Sequence, residues 1–148
     1  MLPATGKPTN AAQIRELMDA MAKAVRAKDV NASVANYAPE CLSFDLVSPL
    51  QRVGSEAARK RAEEWFASWQ GSIEYDIRDL TITTENEIAF CHSLNHVRGT
   101  KTDGQIVDMW WRSTLCFRKE EGEWLITHEH LSVPFDMNDG KAALNLKP

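Results

Sequence analysis

The sequence predicts an α+β fold in which three N-terminal helices pack on an antiparallel sheet. Up to Gly71 the apolar residues recur with the helical period of about 3.6, and from Ser72 onward they alternate with a period of two. Short polar links at 84–87, 101–104 and 120–122 join the alternating segments and leave no room for crossover helices. A run of helices followed by a meander of long strands defines the α+β class.

Three helices are expected because residues that accept hydrogen bonds from a helix N-terminus stand before each apolar stripe. Thr9 or Asn10 is expected to cap the first helix, and Asp29 a short second helix. Ser55 is expected to cap the third, which Gly71 ends. The alternating segments predict strands at 73–83, 88–99, 105–119 and 123–133, preceded by a small hairpin at 41–46 and 50–53.

The composition indicates one globular domain over residues 1–148, with 1–8 and 135–148 as extended tails. The chain is 43% hydrophobic and 26% charged, with a net charge of -4 and scattered basic residues, so neither nucleic acid nor a membrane is an expected partner. Three widely spaced cysteines fit neither a disulfide framework nor a zinc site. Together with the absence of a secretory pattern near Met1, they lead us to expect a cytoplasmic protein.

Two segments of the sequence resemble one protein family. Tyr37 to Glu40, continuing through Phe44-Asp45 to Gly54-Ser55, is similar without a gap to the ketosteroid-isomerase segment that carries the catalytic base. Gly122 to Ser132 resembles the closing strand of SnoaL-like proteins and of the calmodulin-dependent kinase association domain. The resemblance implies a strongly curved sheet that forms a cone with an internal pocket, with Asp45 in the position of the base.

The same resemblance assigns an inward face to each strand, because side chains alternate between the two faces of a sheet. It implies that Cys91, Ser93 and Asn95 point outward. The expected catalytic residues are Asp45, His92 and His96. The expected substrate-binding residues are Phe90, Trp111, Ser113, Leu115, Glu129 and Leu131.

The expected chemistry is general acid/base catalysis without a metal or an organic cofactor. A carboxylate shielded from water at a pocket mouth is a competent base, and imidazole exchanges protons near neutral pH. The familiar steroid isomerisation is disfavoured, because Met21 and Leu115 stand where ketosteroid isomerases place their oxyanion donors. Glu129 is expected either to orient one imidazole or to act as a second acid/base group.

Two functions remain open from the sequence. The first is a small-molecule-binding protein that acts as an isomerase, dehydratase or cyclase on an apolar ring or a carbonyl compound. The second is a non-catalytic dimeric ligand-binding or interaction module of the same fold. A homodimer is expected through the convex sheet face, where we place Trp110, Arg112, His128 and His130. Asp45 could equally cap the hairpin turn, and the two imidazoles could be satisfied core groups.

Overall fold

A computed structural model describes Gly6 and residues 8–148, so most of the predicted N-terminal tail lies outside the described residues. These described residues form three helices and six strands. The helices are α1 (Asn10–Arg26), α2 (Val30–Ser33) and α3 (Ser55–Ala67). The strands are β1 (Tyr37–Phe44), β2 (Arg52–Val53), β3 (Trp69–Glu85), β4 (Ile88–Lys101), β5 (Ile106–Glu120) and β6 (Glu123–Ser132).

The first two helices begin where the sequence predicts, and the third differs. The Thr9 side chain accepts a hydrogen bond from the backbone of α1, and Asp29 does the same for α2. Helix α3 instead begins at Ser55 after Gly54, whose φ of 96° turns the chain into the helix without a side-chain cap. Gly71 does not end α3; it lies two residues into β3, where its φ of 68° accompanies an irregularity in the pairing with β4.

The strands form one sheet in the order β2, β1, β6, β5, β4, β3. The predicted α+β class is confirmed, and β3 to β6 form the predicted antiparallel meander. Strands β1 and β2 form the predicted small hairpin. Strand β1 then pairs in parallel with β6, which brings the first and last strands together. This pairing places Ser43 of β1 directly opposite Glu129 of β6.

Helices and sheet enclose two groups of buried apolar side chains. One group joins Ile14 and Met18 of α1 to Phe117 and Ile126 of the sheet. The other gathers side chains from β3, β4 and β5 beneath α1 and α3, chiefly Trp69, Ile73, Tyr75, Val97 and Trp111. This second group adjoins an unfilled space, which Met18 and Leu115 of the first group also line.

The C-terminal segment after β6 is largely exposed. It folds back in a short turn, in which the Asp136 amide donates to Lys141 and Phe135 forms an isolated bridge with Ala142. Its apolar side chains Phe135, Met137, Leu144 and Leu146 lie at the surface. In the described part of the chain, no helix has both the length and the apolar character needed to span a bilayer.

Candidate functional site

The unfilled space is a cavity of about 250 Å³ between the helices and the concave face of the sheet. Most of its lining is apolar or aromatic, as is usual for small-molecule sites. Three tryptophans contribute to the wall: Trp65 lies edge-on to Trp69 at 5.7 Å and to Trp111 at 6.4 Å between ring centroids. The polar lining residues are Ser33, Tyr37, Asp45, Arg61, Tyr75, Asn95, Lys101, Ser113 and Glu129.

Strand β5 presents the face that the sequence assigns to the interior. Trp111, Ser113 and Leu115 are buried and line the cavity. Met21 of α1 lines it as well, so the two positions that hold oxyanion donors in ketosteroid isomerases are apolar here. Any stabilisation of a developing negative charge must therefore come from other residues.

Strand β4 presents the opposite face from the one the sequence predicts. Cys91, Ser93 and Asn95 are buried, whereas Phe90 is 44% exposed and His92 is exposed. The predictions that place Phe90, His92 and His96 inside the pocket are therefore wrong. The inward residues of β4 are small, and they lie opposite large residues of β5 on the same face: Cys91 opposite Leu115 and Asn95 opposite Trp111.

One turn sets the register between β4 and β5. A four-residue link at 101–104 would pair Thr100 with Gln105, but the structure pairs Thr100 with Ile106. The Lys101 amide donates to the Gln105 carbonyl, so the loop has three residues and ends at Gly104, whose φ is 90°. Because side chains alternate along a strand, this one-residue difference moves every side chain of β4 to the other face.

His96 lies on the convex face of the sheet. Its ring stacks on Trp110 at 4.4 Å between centroids, and its Nε2 lies 2.6 Å from Asp108 Oδ1. This hydrogen bond is the main reason that the pKa of Asp108 lies below its usual value. His96 is thus satisfied by surface partners and does not reach Asp45 through the cavity.

A β-bulge brings Glu129 to the cavity. Phe117 lies opposite Ile126 and Cys116 lies opposite His128, so Thr127 of β6 has no counterpart on β5. A bulge of one residue changes which side chains face inward beyond it. Ile126 is inward before the bulge, and Glu129 and Leu131 line the cavity after it. His130 and the half-buried His128 lie edge-on to the ring of Phe44 outside the cavity lining.

Glu129 is a carboxyl group held in an apolar enclosure. The Tyr37 hydroxyl donates to its Oε2 over 2.6 Å. Burial raises the pKa of Glu129, and nearby Asp45 raises it further, although the hydroxyls of Tyr37 and Ser43 act in the opposite direction. Burial and the adjacent Glu129 also raise the pKa of Tyr37 well above its usual value, so this phenol keeps its proton.

A second polar group on the wall is a chain of three side chains that the sequence reasoning missed. The Ser93 hydroxyl donates to Asn95 Oδ1 over 2.7 Å, and Asn95 Nδ2 donates to the Tyr75 oxygen over 2.9 Å. Tyr75 accepts in this chain, and its own proton has no acceptor among the described residues. Burial is the main cause that raises the pKa of Tyr75, so that proton stays in place as a hydrogen-bond donor. The correct loop count between β4 and β5 would have identified Asn95.

Asp45 is located at the cavity lining, as the sequence suggests, but in a different setting. Its Oδ2 accepts hydrogen bonds from Arg52 at 2.7 Å and from Arg61 at 2.8 Å, and its Oδ1 accepts from the Leu46 amide. The carboxylate is therefore paired with two guanidinium groups. No imidazole is among its hydrogen-bond partners in the described part of the chain.

The fold and this cavity define an α+β cone with an enclosed, mostly apolar site. The chain belongs to the SnoaL-like domain family, whose model matches residues 14–136. This result confirms the resemblance in the sequence. Among curated proteins, none matches the chain at a significant level.

Solved structures share this architecture over most of their length. An NTF2-like protein of unknown function from Pseudomonas putida KT2440 is 31% identical, with 96% of this chain and 100% of that chain covered and a TM-score of 0.85. A ketosteroid isomerase-like protein from Erwinia carotovora atroseptica is 20% identical, with 85% and 97% covered and a TM-score of 0.72. A protein proposed to be a scytalone dehydratase from Novosphingobium aromaticivorans DSM 12444 is 13% identical, with 90% and 89% covered and a TM-score of 0.74. The last two likenesses establish the fold alone.

Proposed function

We propose that the cavity binds a small, mainly apolar carbonyl compound and that Glu129 moves protons on it, which would make the protein a cofactor-independent isomerase or lyase. The observation that carries this proposal is the half-buried, hydrogen-bonded Glu129–Tyr37 pair on the wall of a mostly apolar cavity. A carboxyl group whose pKa is raised by burial exchanges protons closer to neutral pH than an exposed one.

Glu129 and Tyr75 supply complementary functions in this proposal. The carboxylate of Glu129 takes a proton from the carbon next to a ligand carbonyl, and the carbonyl oxygen gains the negative charge. The free hydroxyl proton of Tyr75, polarised by the Asn95 and Ser93 hydrogen bonds behind it, donates to that oxygen. In a ligand whose carbon–carbon double bond is β,γ to the carbonyl, Glu129 then returns the proton to the γ carbon. The double bond moves to the α,β position, which completes an isomerisation without a net change in atoms.

The names of two structural relatives agree with chemistry of this class. One is described as ketosteroid isomerase-like and another as a proposed scytalone dehydratase. Both names refer to acid/base reactions on ring compounds, but they belong to those proteins. For this chain, the support comes from Glu129, Tyr37 and Tyr75.

Hydrogen exchange on 2-tetralone in D₂O tests the proposal without knowledge of the natural substrate. This ketone is apolar and contains an aromatic ring, and NMR follows the loss of the protons next to its carbonyl. We expect the protein to accelerate the exchange, Glu129→Gln to reduce the acceleration by about 10²-fold or more, and Tyr75→Phe by about 10²-fold. Glu123→Gln, an exposed residue of the same strand, is the matched control and should keep full activity.

Binding is measured separately from chemistry through the five tryptophan indole signals. Trp65, Trp69 and Trp111 line the cavity, whereas Trp110 and Trp124 lie outside its lining. Shifts confined to the first three report occupancy. Occupancy without any exchange on a panel of enolisable ketones would contradict the catalytic proposal and would favour a binding module.

A second function, as a dimeric binding or interaction module, is favoured by the convex sheet face. There Trp110 is only half-buried, although His96 stacks on it and the Arg78 guanidinium lies 5.3 Å from its ring centroid. We propose a homodimer through this face, with Arg112, His128 and His130 also in the interface. We place the protein in the cytoplasm, where the free thiols of the three cysteines stay reduced. Trp110→Glu should convert a dimer into a monomer in sedimentation; a monomeric parent protein would refute the dimer.

A further inference from the structure

The cavity lining carries an excess of positive charge in one place. Arg61 and Lys101 both line the cavity, and Arg52 shares with Arg61 the single carboxylate of Asp45. The whole chain has a net charge of -4, so this local balance is opposite in sign to that of the protein. Asp103, in the adjacent turn, also acts on Lys101, so these three cations face the carboxylates of Asp45 and Asp103. Glu129, whose pKa burial raises, is the remaining carboxyl group of the lining.

The two lining cations keep unused hydrogen-bond donors. The Lys101 ammonium donates to the Ser68 hydroxyl over 2.8 Å and lies 3.8 Å from the ring centroid of Trp69. Arg61 uses its Nε for Asp45, and its two terminal amino groups have no acceptor among the described residues. The two groups also repel each other: after burial, Arg61 is the next cause that lowers the pKa of Lys101. An anion between them would relieve this repulsion.

We propose that the ligand is an aromatic monocarboxylate whose ring lies among Trp65, Trp69 and Trp111 and whose carboxylate lies between Lys101 and Arg61. This inference rests on the proposed function that the cavity binds small molecules, and it adds the chemical class. The planar fork of a guanidinium matches the two oxygens of a carboxylate. While Glu129 is protonated, the surplus of one positive charge matches a single negative charge. Glu129, whose pKa burial raises, opposes an incoming anion less than a permanently charged carboxylate would.

The test compares 1-naphthylacetate with 1-naphthylacetamide by isothermal titration calorimetry. The two probes share their ring and nearly their shape, and they differ in charge. We expect the acid to bind about 10-fold or more tightly, because hydrogen bonds to a charged group are roughly twice as strong as neutral ones. The preference should shrink as salt concentration increases.

Variants assign the preference to the two cations. Lys101→Gln and Arg61→Gln should each lower the affinity for the acid towards that for the amide, while the affinity for the amide stays within about twofold. Lys60→Gln, on the exposed side of α3 next to Arg61, is the matched control and should keep the full preference. Amide binding in each variant also reports that its cavity is still folded.

The outcomes separate this inference from the function on which it rests. Equal affinities for acid and amide would overturn the inference and leave cavity binding intact. A preference for the acid that persists in both variants would also overturn the inference, because other residues would then bind the carboxylate. Binding of neither probe would overturn it too, and the indole signals with 2-tetralone would decide independently whether the cavity binds small molecules.

Discussion

Removal of the Tyr37 hydroxyl should raise the pKa of Glu129 further. In the folded protein this hydroxyl donates to Glu129 Oε2 over 2.6 Å, and it opposes the effect of burial. A hydrogen bond to a charged group contributes about 1.5 to 3 kcal/mol, and one between neutral groups about 1 kcal/mol. Tyr37→Phe therefore destabilises the carboxylate relative to the neutral acid by about 1.4 kcal/mol, which corresponds to about one pH unit.

The measurement is a titration of the Glu129 side-chain carbonyl carbon by NMR, with the signal assigned through its absence in Glu129→Gln. Tyr75→Phe is the matched control, because the Tyr75 oxygen accepts from Asn95 and does not contact Glu129. We expect the midpoint to increase in Tyr37→Phe and to change much less in Tyr75→Phe. Equal midpoints in the parent protein and Tyr37→Phe would refute the assignment of Tyr37 as the group that stabilises the carboxylate.

Three further predictions concern stability and the corrected strand register. In Gly99→Ala the added carbon would lie 3.1 Å from the Trp69 ring. The free energy of unfolding, measured in urea, should therefore fall by about 1 to 3 kcal/mol. The control Gly6→Ala, which has open space around the added carbon, should leave the free energy of unfolding unchanged. Burial raises the pKa of Glu129 above 4.5, so the folded state binds more protons than the unfolded chain. Stability should therefore decrease as pH rises through the folded-state pKa. In urea titrations at several pH values, Glu129→Gln should lack this decrease. His96→Gln should leave 2-tetralone affinity within about twofold, and a larger loss would restore a cavity role for this residue.

The helices, the meander and their order are predictable from the sequence because they depend on local periodicity. The alternation of apolar and polar residues from Ile88 to Lys119 does not depend on how the strands pair. The predicted strand positions are therefore correct to within a few residues. The faces of those strands depend on single residues in turns and bulges. The loop that ends at Gly104 and the bulge at Thr127 each change the parity of a strand, and periodicity does not detect either.

The β4 error also has a compositional origin. The predicted inward face contains Phe90 and Leu94, and the true one contains Cys91, Ser93 and Asn95, which as a set are less hydrophobic. The concave side of a curved sheet already holds Trp111, Leu115 and Phe117 from β5, so small residues opposite them complete the packing. Large side chains on one strand therefore predict small side chains opposite them on the neighbouring strand. The sequence of a single strand does not contain this information.

The roles of Asp45 and Glu129 follow from the same comparison of environments. Both are acidic side chains on the cavity lining, but Asp45 lies against Arg52 and Arg61, and Glu129 lies against apolar walls and a phenol. Two guanidinium groups occupy the oxygens of a carboxylate and fix its position, whereas burial of a carboxyl group favours exchange of its proton. We therefore propose that Asp45, at the position that resembles the catalytic base of ketosteroid isomerases, holds Arg61 at the cavity lining. Asp45→Asn should then weaken 1-naphthylacetate binding through a misplaced Arg61 and leave 2-tetralone exchange nearly intact; the opposite pattern in calorimetry and NMR would make Asp45 the base.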